Sequence, residues 1–176
     1  TNLEFFKYAL YYKIPYSCDY IFEVSNDILK EYEMLNRLQL FCLRRGMTYI
    51  RNSTNGNTID VFINNIPIQA KFCTFPKDQT RLTYSISFHK SGGVLNGQRI
   101  SIPYDINDPF EFVIVEVGGI YGISDNMYYN NFCIIPKVVL IEQGILSSME
   151  CKGKKFFSIC PPNYERDHWS KKYWYN

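Results

Sequence analysis

Spacings that would hold a zinc ion are missing from this chain. Its six cysteines, Cys18, Cys42, Cys73, Cys133, Cys151 and Cys160, include no C-x-x-C pair, and only His89 and His168 could assist them. That argues against the common structural zinc modules. Cys42, Cys73, Cys133 and Cys160 lie in apolar segments, where a free thiol serves as a small core group, so reduced cysteines in an intracellular protein (nuclear or cytoplasmic) are expected. No apolar run approaches the roughly 20 residues of a membrane-spanning helix, no signal peptide is visible, and no membrane association is expected. There is no glycine-rich phosphate loop, no Ser, Cys and His arrangement resembling a nucleophilic triad, no internal repeat and no low-complexity tract. A strong charge of one sign is absent too. A net charge of +2 does not mark a nucleic-acid binder, so any basic footprint must be local.

What is present suits one core. A chain of 176 residues at 46% hydrophobic content has enough apolar side chains for a single sizeable domain. The first residue is Thr1 rather than methionine, which fits a piece of a longer protein with modules upstream. Residues 1–25 are an aromatic-rich N-terminal extension: Phe5 to Tyr12 reads as a short helix that Ile14-Pro15 would end. The domain proper is expected over residues 26–176.

From Ser25 to Arg45 the pattern is helical, with Ser25 or Asn26 as the cap, Asp27 in the first turn and Gly46 past the end. At 100° per residue Ile28, Leu35, Leu38 and Cys42 form one stripe, with Glu31 at its centre and Glu33 nearly opposite. A carboxylate in an apolar stripe is costly unless it is paired or holds a metal. The plainer alternative is a Glu31 at the helix edge that reaches solvent or meets Arg45. Strands are expected at Met47–Arg51, Leu82–Phe88, Phe110–Val117, Phe132–Ile135 and Lys155–Cys160. Ser91-Gly92-Gly93 and Asn96-Gly97 read as turns around a short ribbon. Pro136 starts a helix over residues 137–143 that Gly144 stops.

The segment from Thr58 to Phe72 carries the chemistry. Taken as a hairpin with Asn64-Asn65 as its two-residue turn, it pairs Ile63 with Ile66 and, stepping outward, sets Asp60 opposite Gln69 at roughly 5 Å. Alternation sends Ile59, Val61, Ile63, Ile66, Ile68, Ala70 and Phe72 to an apolar face and collects Asp60, Gln69 and Lys71 on the other. An acid, an amide oxygen and an ammonium beside a buried sheet face suit a hard divalent cation and a phosphodiester. The alternative is the solvated face of an ordinary amphipathic hairpin. Phe62 and Pro67 share that face and speak against full exposure.

An Asp, a short gap and then (Glu/Gln)-x-Lys across a hairpin resembles the PD-(D/E)xK nuclease superfamily, and Gln69-Ala70-Lys71 is similar to the Gln-x-Lys variant of the Mrr-type restriction endonucleases. Counting the order of elements, the resemblance covers roughly residues 26 to 160. It implies an α/β fold: a restriction-endonuclease-like central mixed β-sheet flanked by helices, here with an extra β-ribbon. It also implies a DNA endonuclease dependent on Mg²⁺, with Mn²⁺ able to substitute, and a homodimer that cuts both strands. By the same resemblance Asp60 bridges the cation, Gln69 gives its side-chain carbonyl, Ala70 a backbone carbonyl, and Glu31 the second negative charge. Lys71 orients the attacking water and neutralises the phosphate. Departures are that Ile59 stands where many members carry proline, that Gln69 removes a charge, and that the strand at 82–88 stands where many members place a helix.

Softer nucleic-acid contacts are His89 and Lys90, at the end of a strand before two glycines, and Lys171 and Lys172, interleaved with aromatics from Arg166 to Tyr175. The plainer readings are a polar turn and a tail that docks Trp169 and Trp174 on the core with its lysines in water. Besides the nuclease, a nucleic-acid-binding domain with little or no cleavage and a protein-interaction or effector domain remain open. Whether Glu31 reaches Asp60 discriminates the first two.

Overall fold

Apolar side chains recurring every three or four residues after Ser25 make the first helix. The computed structural model describes residues 26–52, 58–74, 83–118, 132–162 and 165–175; the expected N-terminal extension and the Ser25 cap lie outside them. Helix α1 (Asn26–Arg44) is followed by Gly46 at φ +67°, a left-handed position that costs glycine little. It buries Met34, Leu35, Leu38, Phe41 and Cys42, a wider stripe than the one expected, because a core-facing helix presents an arc of 100° or more. The side chain of Ile28 lies outside the described residues.

The strands in chain order are β1 (Tyr49–Arg51), β2 (Val61–Ile63), β3 (Ile66–Thr74), β4 (Tyr84–Ser87), β5 (His89–Leu95), β6 (Gln98–Pro103), β7 (Phe112–Gly118), β8 (Phe132–Pro136), β9 (Phe156–Ile159) and β10 (Trp174–Tyr175). A short helix α2 (Lys137–Glu142) follows Pro136, and a 3-10 turn spans Trp169–Tyr173. Six strands form a mixed sheet in the order β1-β2-β3-β7-β8-β10, while β4–β9 and β5–β6 are separate two-stranded units. The fold is therefore an α/β one built on a central mixed sheet, with an extra ribbon. No described helix is long and apolar enough to cross a membrane.

The β2–β3 turn follows from its residues. Asn64 and Asn65 take φ of 49° and 66°, the pair of positive values whose twist matches that of the flanking strands. Ile63 consequently pairs with Ile66, and Val61 with Ile68. Strand β3 then runs parallel to β7, with Gln69 beside Val113, Lys71 beside Val115 and Cys73 beside Val117.

Alternation along β3 and β7 divides the interior into two cores. Ile68, Ala70 and Ile114 pack with Val61, Ile63 and Phe132 under helix α1. Val113, Val115, Val117, Cys133 and Ile135 pack on the opposite face against β4, β9 and α2. A strand covered on both sides reads as an unbroken apolar run, as Phe112 to Val115 does. Each such side chain, fully buried, stabilises the fold by about 1.5–3 kcal/mol.

Two expectations need correction. Ser91-Gly92-Gly93 is not a turn: both glycines lie within β5, where the pairing with β6 shifts register between Ser91 and Val94. That is a β-bulge. Gly93 takes φ +94° at the irregularity, and a Cβ on Gly92 would meet the Ile102 side chain at 2.7 Å, so only glycine fits there without a shift. The face of β3 that carries Gln69 and Lys71 is not a polar face either. It is the floor of the second core, and Gln69 is only 2% exposed.

Candidate functional site

Asp60 comes to Gln69 because the Asn-Asn turn sets the register. The Asp60 amide donates to the carbonyl of Ile68 (2.9 Å), which continues the β2–β3 ladder one residue beyond the assigned strand. The Asp60 side chain thus falls on the same face as that of Gln69. Its Oδ2 accepts from the Ala70 amide at 2.7 Å and from Gln69 Nε2 in a very short contact. Gln69 Nε2 also approaches the carbonyl of Ala70 at 3.4 Å. The other end of that amide, Gln69 Oε1, is buried and has no hydrogen-bond partner among the described residues. A buried carbonyl oxygen without a donor forfeits about 1–3 kcal/mol, so it calls for an explanation.

The electrostatics centre on Asp60. Burial pushes its carboxyl up from 3.8 to about 6; the Lys71 ammonium and the Ala70 amide pull it down, the Glu31 charge raises it, and the Gln69 amide lowers it. Glu31 is exposed, yet its charge is felt at Asp60 and at Tyr104. It stands on the buried stripe of α1, one turn before Met34 and Leu35, where solvent reaches the helix. Lys71 Nζ lies 5.7 Å from the centre of the Tyr104 ring, and the buried Tyr104 phenol is held protonated by burial first, then by the charges of Asp60, Asp108 and Glu31.

Asp60, Gln69, Ala70 and Lys71 are therefore brought together, with Glu31 in electrostatic reach. Among the described residues no three His, Cys, Asp or Glu side chains gather in one place, so a cation here would have two carboxylates, an amide and a backbone carbonyl to draw on. All its donors are hard oxygens, the chemistry that suits Mg²⁺ or Mn²⁺. The orphaned Gln69 Oε1 fits the same purpose. A half-turn of the amide exchanges its two ends, which would place Oε1 beside Asp60 Oδ2, two oxygens that repel unless a cation lies between them.

Other expected contacts are engaged elsewhere. Lys90 Nζ meets both oxygens of the buried Asp108, at 2.5 and 2.7 Å, so its charge is paired with a carboxylate of the protein. His89 sets its ring against Phe156, with centroids 6.1 Å apart. In the tail, Trp169 and Trp174 pack against the core, and Trp174 Nε1 donates to the carbonyl of Cys160 at 2.6 Å. Ser170 is fully buried and donates to that carbonyl while accepting from the Cys160 amide. The docked tail, rather than a base-stacking surface, is what forms. Lys171 is half-buried, and Lys172 is exposed with its ammonium 5.2 Å from the Tyr173 ring.

Two partnerships went unread in the sequence. Glu116, buried within the apolar run of β7, accepts from Arg37 Nε and Nη2 at 2.7 Å each, and Arg37 also approaches Glu33 at 3.7 Å. The signal was present: a carboxylate inside Val-Ile-Val-Glu-Val needs a cation, and Arg37 is one helix turn beyond Glu33. Tyr104, which covers Lys71, carries no such signal, since it follows the ribbon and meets the hairpin only through the fold.

No family model matches the sequence, and no curated protein matches it. Among solved structures the chain is similar to a bacterial homing endonuclease, I-Ssp6803I, with a TM-score of 0.60 and 15% identity, covering 85% of this chain and 89% of that one. It is also similar to the structure of MepB, with a TM-score of 0.51 and 18% identity, covering 73% of this chain and 85% of that one. At such identities the likeness is one of fold.

Proposed function

We propose that this protein is a metal-dependent endonuclease that hydrolyses DNA phosphodiester bonds at the Asp60, Gln69 and Lys71 hairpin, as a Gln-x-Lys member of the PD-(D/E)xK superfamily. The observation that carries the reading is the buried Gln69 amide set against Asp60, a carboxyl that burial has raised to about 6, with the far end of that amide, Oε1, left without a partner among the described residues. A cation between Asp60 and the Gln69 amide, turned so that its oxygen faces the carboxylate, would stabilise the ionised form of Asp60. The fold shared with a homing endonuclease supports the same reading.

Asp60, Gln69 Oε1, the Ala70 carbonyl and Glu31 would hold Mg²⁺ or Mn²⁺. When bound, that ion supplies activation of a water and stabilisation of charge on the phosphate. Lys71, held against Tyr104, orients the attacking water and neutralises the phosphoryl oxygens as the bond to the leaving oxygen breaks. Glu31 supplies the second negative charge, without which one carboxylate faces a divalent ion.

A plasmid-nicking assay with Mg²⁺ or Mn²⁺ tests the proposal, comparing the wild type with Asp60→Ala and Lys71→Ala. Metal-dependent nicking lost in both variants is expected. A folded wild type that binds duplex but nicks with neither metal would favour the second reading, a DNA-binding module on the same fold. One observation speaks for that second reading: Gln69 Nε2 already satisfies Asp60 without a metal.

A further inference from the structure

The β5–β6 ribbon takes no part in the hairpin site, yet Tyr104, the residue that follows it, stands beside Lys71. Phe88, just before His89, packs on Tyr104, just after Pro103, with ring centroids 4.4 Å apart, and Tyr104 in turn faces Lys71. From this aromatic base the two strands run out paired only with each other among the described residues. Seven residues at about 3.3 Å each give a reach of roughly 20 Å. The Lys90–Asp108 pair anchors one foot, and the bulge at Gly92-Gly93 adds bend and twist.

The tip is unusual in composition. Val94 and Leu95 are 66% and 60% exposed. They lead into the Asn96-Gly97 turn, and Asn96, Gln98 and Arg99 are exposed with them. No Asp or Glu occurs between Asp78 and Asp105. Two amides and a guanidinium with no carboxylate complement base edges: Arg pairs with guanine, Asn and Gln with adenine, and apolar side chains meet thymine methyls. A two-stranded ribbon also fits the major groove, about 12 Å wide.

We infer that the ribbon is the sequence-reading element of the same site, entering the major groove of a duplex whose scissile phosphate lies at Asp60 and Lys71. This rests on the nuclease reading, and the experiment separates the two. The full chain carrying Asp60→Asn, which binds without cutting, is used to select preferred duplexes from a random library. Affinity for selected and unselected duplex is then measured for that protein and for one carrying Asn96→Ala, Gln98→Ala and Arg99→Ala in addition. Gly97 is left in place to keep the turn, and thermal unfolding verifies the fold.

A fall of about tenfold or more in the ratio of selected to unselected affinity is expected, the scale of losing one or two base contacts. An unchanged ratio, or a selection that yields no preference, overturns the ribbon's role while nicking by the wild type leaves the nuclease reading standing. A change of oligomeric state in the triple variant would make the ribbon a protein interface instead and also overturns it. A wild type that neither binds nor nicks duplex overturns both.

Discussion

Replacing Asp60 by Asn should make the metal-free protein more stable while abolishing metal-dependent nicking. The carboxyl ionises at about 6 in the folded chain against 3.8 as its ordinary value. A folded-state value above the unfolded one means that the native state holds the proton more tightly. Its contribution to stability is complete below about pH 4 and is lost as pH rises through 6. At pH 7.5 the whole cost is in place: some two units at 1.36 kcal/mol each, or about 3 kcal/mol. Asparagine mimics the protonated acid, and its oxygen still accepts from Ala70. Allowing for the lost charge-assisted hydrogen bonds, about 2 kcal/mol should remain, which for a chain of this size raises the unfolding midpoint by about 4–8 °C. The assay is thermal unfolding of both proteins in chelator at pH 7.5 and 4.5. The gap should shrink to about a third at the lower pH. Adding Mg²⁺ should then raise the wild-type midpoint and leave Asp60→Asn unmoved, since only a site that binds is stabilised by mass action. An Asp60→Asn protein less stable than wild type at pH 7.5, or a gap indifferent to pH, would refute the claim that Asp60 is a buried carboxylate awaiting a cation.

Gln69→Glu should tighten Mn²⁺ binding by roughly an order of magnitude through the added charge and lower the unfolding midpoint in chelator, because two carboxylates then share one buried place; isothermal titration and thermal scans read the two arms, and no gain in affinity would remove Gln69 from the metal set. Arg37→Ala leaves Glu116 buried without its guanidinium and should cost about 3–5 kcal/mol, measured by urea unfolding; a loss under about 1 kcal/mol would mean that water replaces the guanidinium. Tyr104→Leu should lower the nicking rate at saturating plasmid several-fold by freeing Lys71 from the aromatic face, whereas Tyr104→Phe, which keeps the ring, should retain it. Equal loss in both would point to the hydroxyl rather than to the ring.

The hairpin was legible because its turn is encoded locally. Asn64-Asn65 accepts two positive φ values, and with the turn placed every later pair, Asp60 with Gln69 included, follows by counting. The two-residue period likewise put Val61, Ile68 and Ala70 in the core under α1. What covers the opposite face was not legible from the hairpin, because β4, β9 and α2 reach it from elsewhere in the chain. Gln69 was therefore read as lying on a polar face when it lies at a core floor. The ion pair of Lys90 was hidden for the same reason. Its partner Asp108 is 18 residues away, across a ribbon whose register shifts between Ser91 and Val94. The docking of Trp169 and Trp174 was one of two readings the sequence left open, since alternating bases and aromatics suit a nucleic-acid surface and an anchored tail equally. Contacts carried by local register could be derived, and those carried by the return of a distant strand could not.

The burial of Gln69 also accounts for why an amide can occupy a place where a carboxylate would give a cation more charge. A glutamate there would be desolvated at the core floor and would face both Asp60 and Glu31, and each pair of like charges raises the cost of ionising either member. Asp60 already shows the cost of burial, which with a smaller contribution from the Glu31 charge raises its carboxyl to about 6. On the proposed reading the amide would keep a ligand oxygen and remove the repulsion, while without metal its nitrogen donates to Asp60. Such a site trades cation affinity for stability of the empty fold. Glu31, which is exposed, is then the economical position for the second charge. On this reasoning Glu31→Gln should weaken Mn²⁺ binding while changing the metal-free unfolding midpoint by no more than about 1 °C, because an exposed charge contributes little to stability. A large loss of stability with no change in binding would place Glu31 in the fold and not in the site.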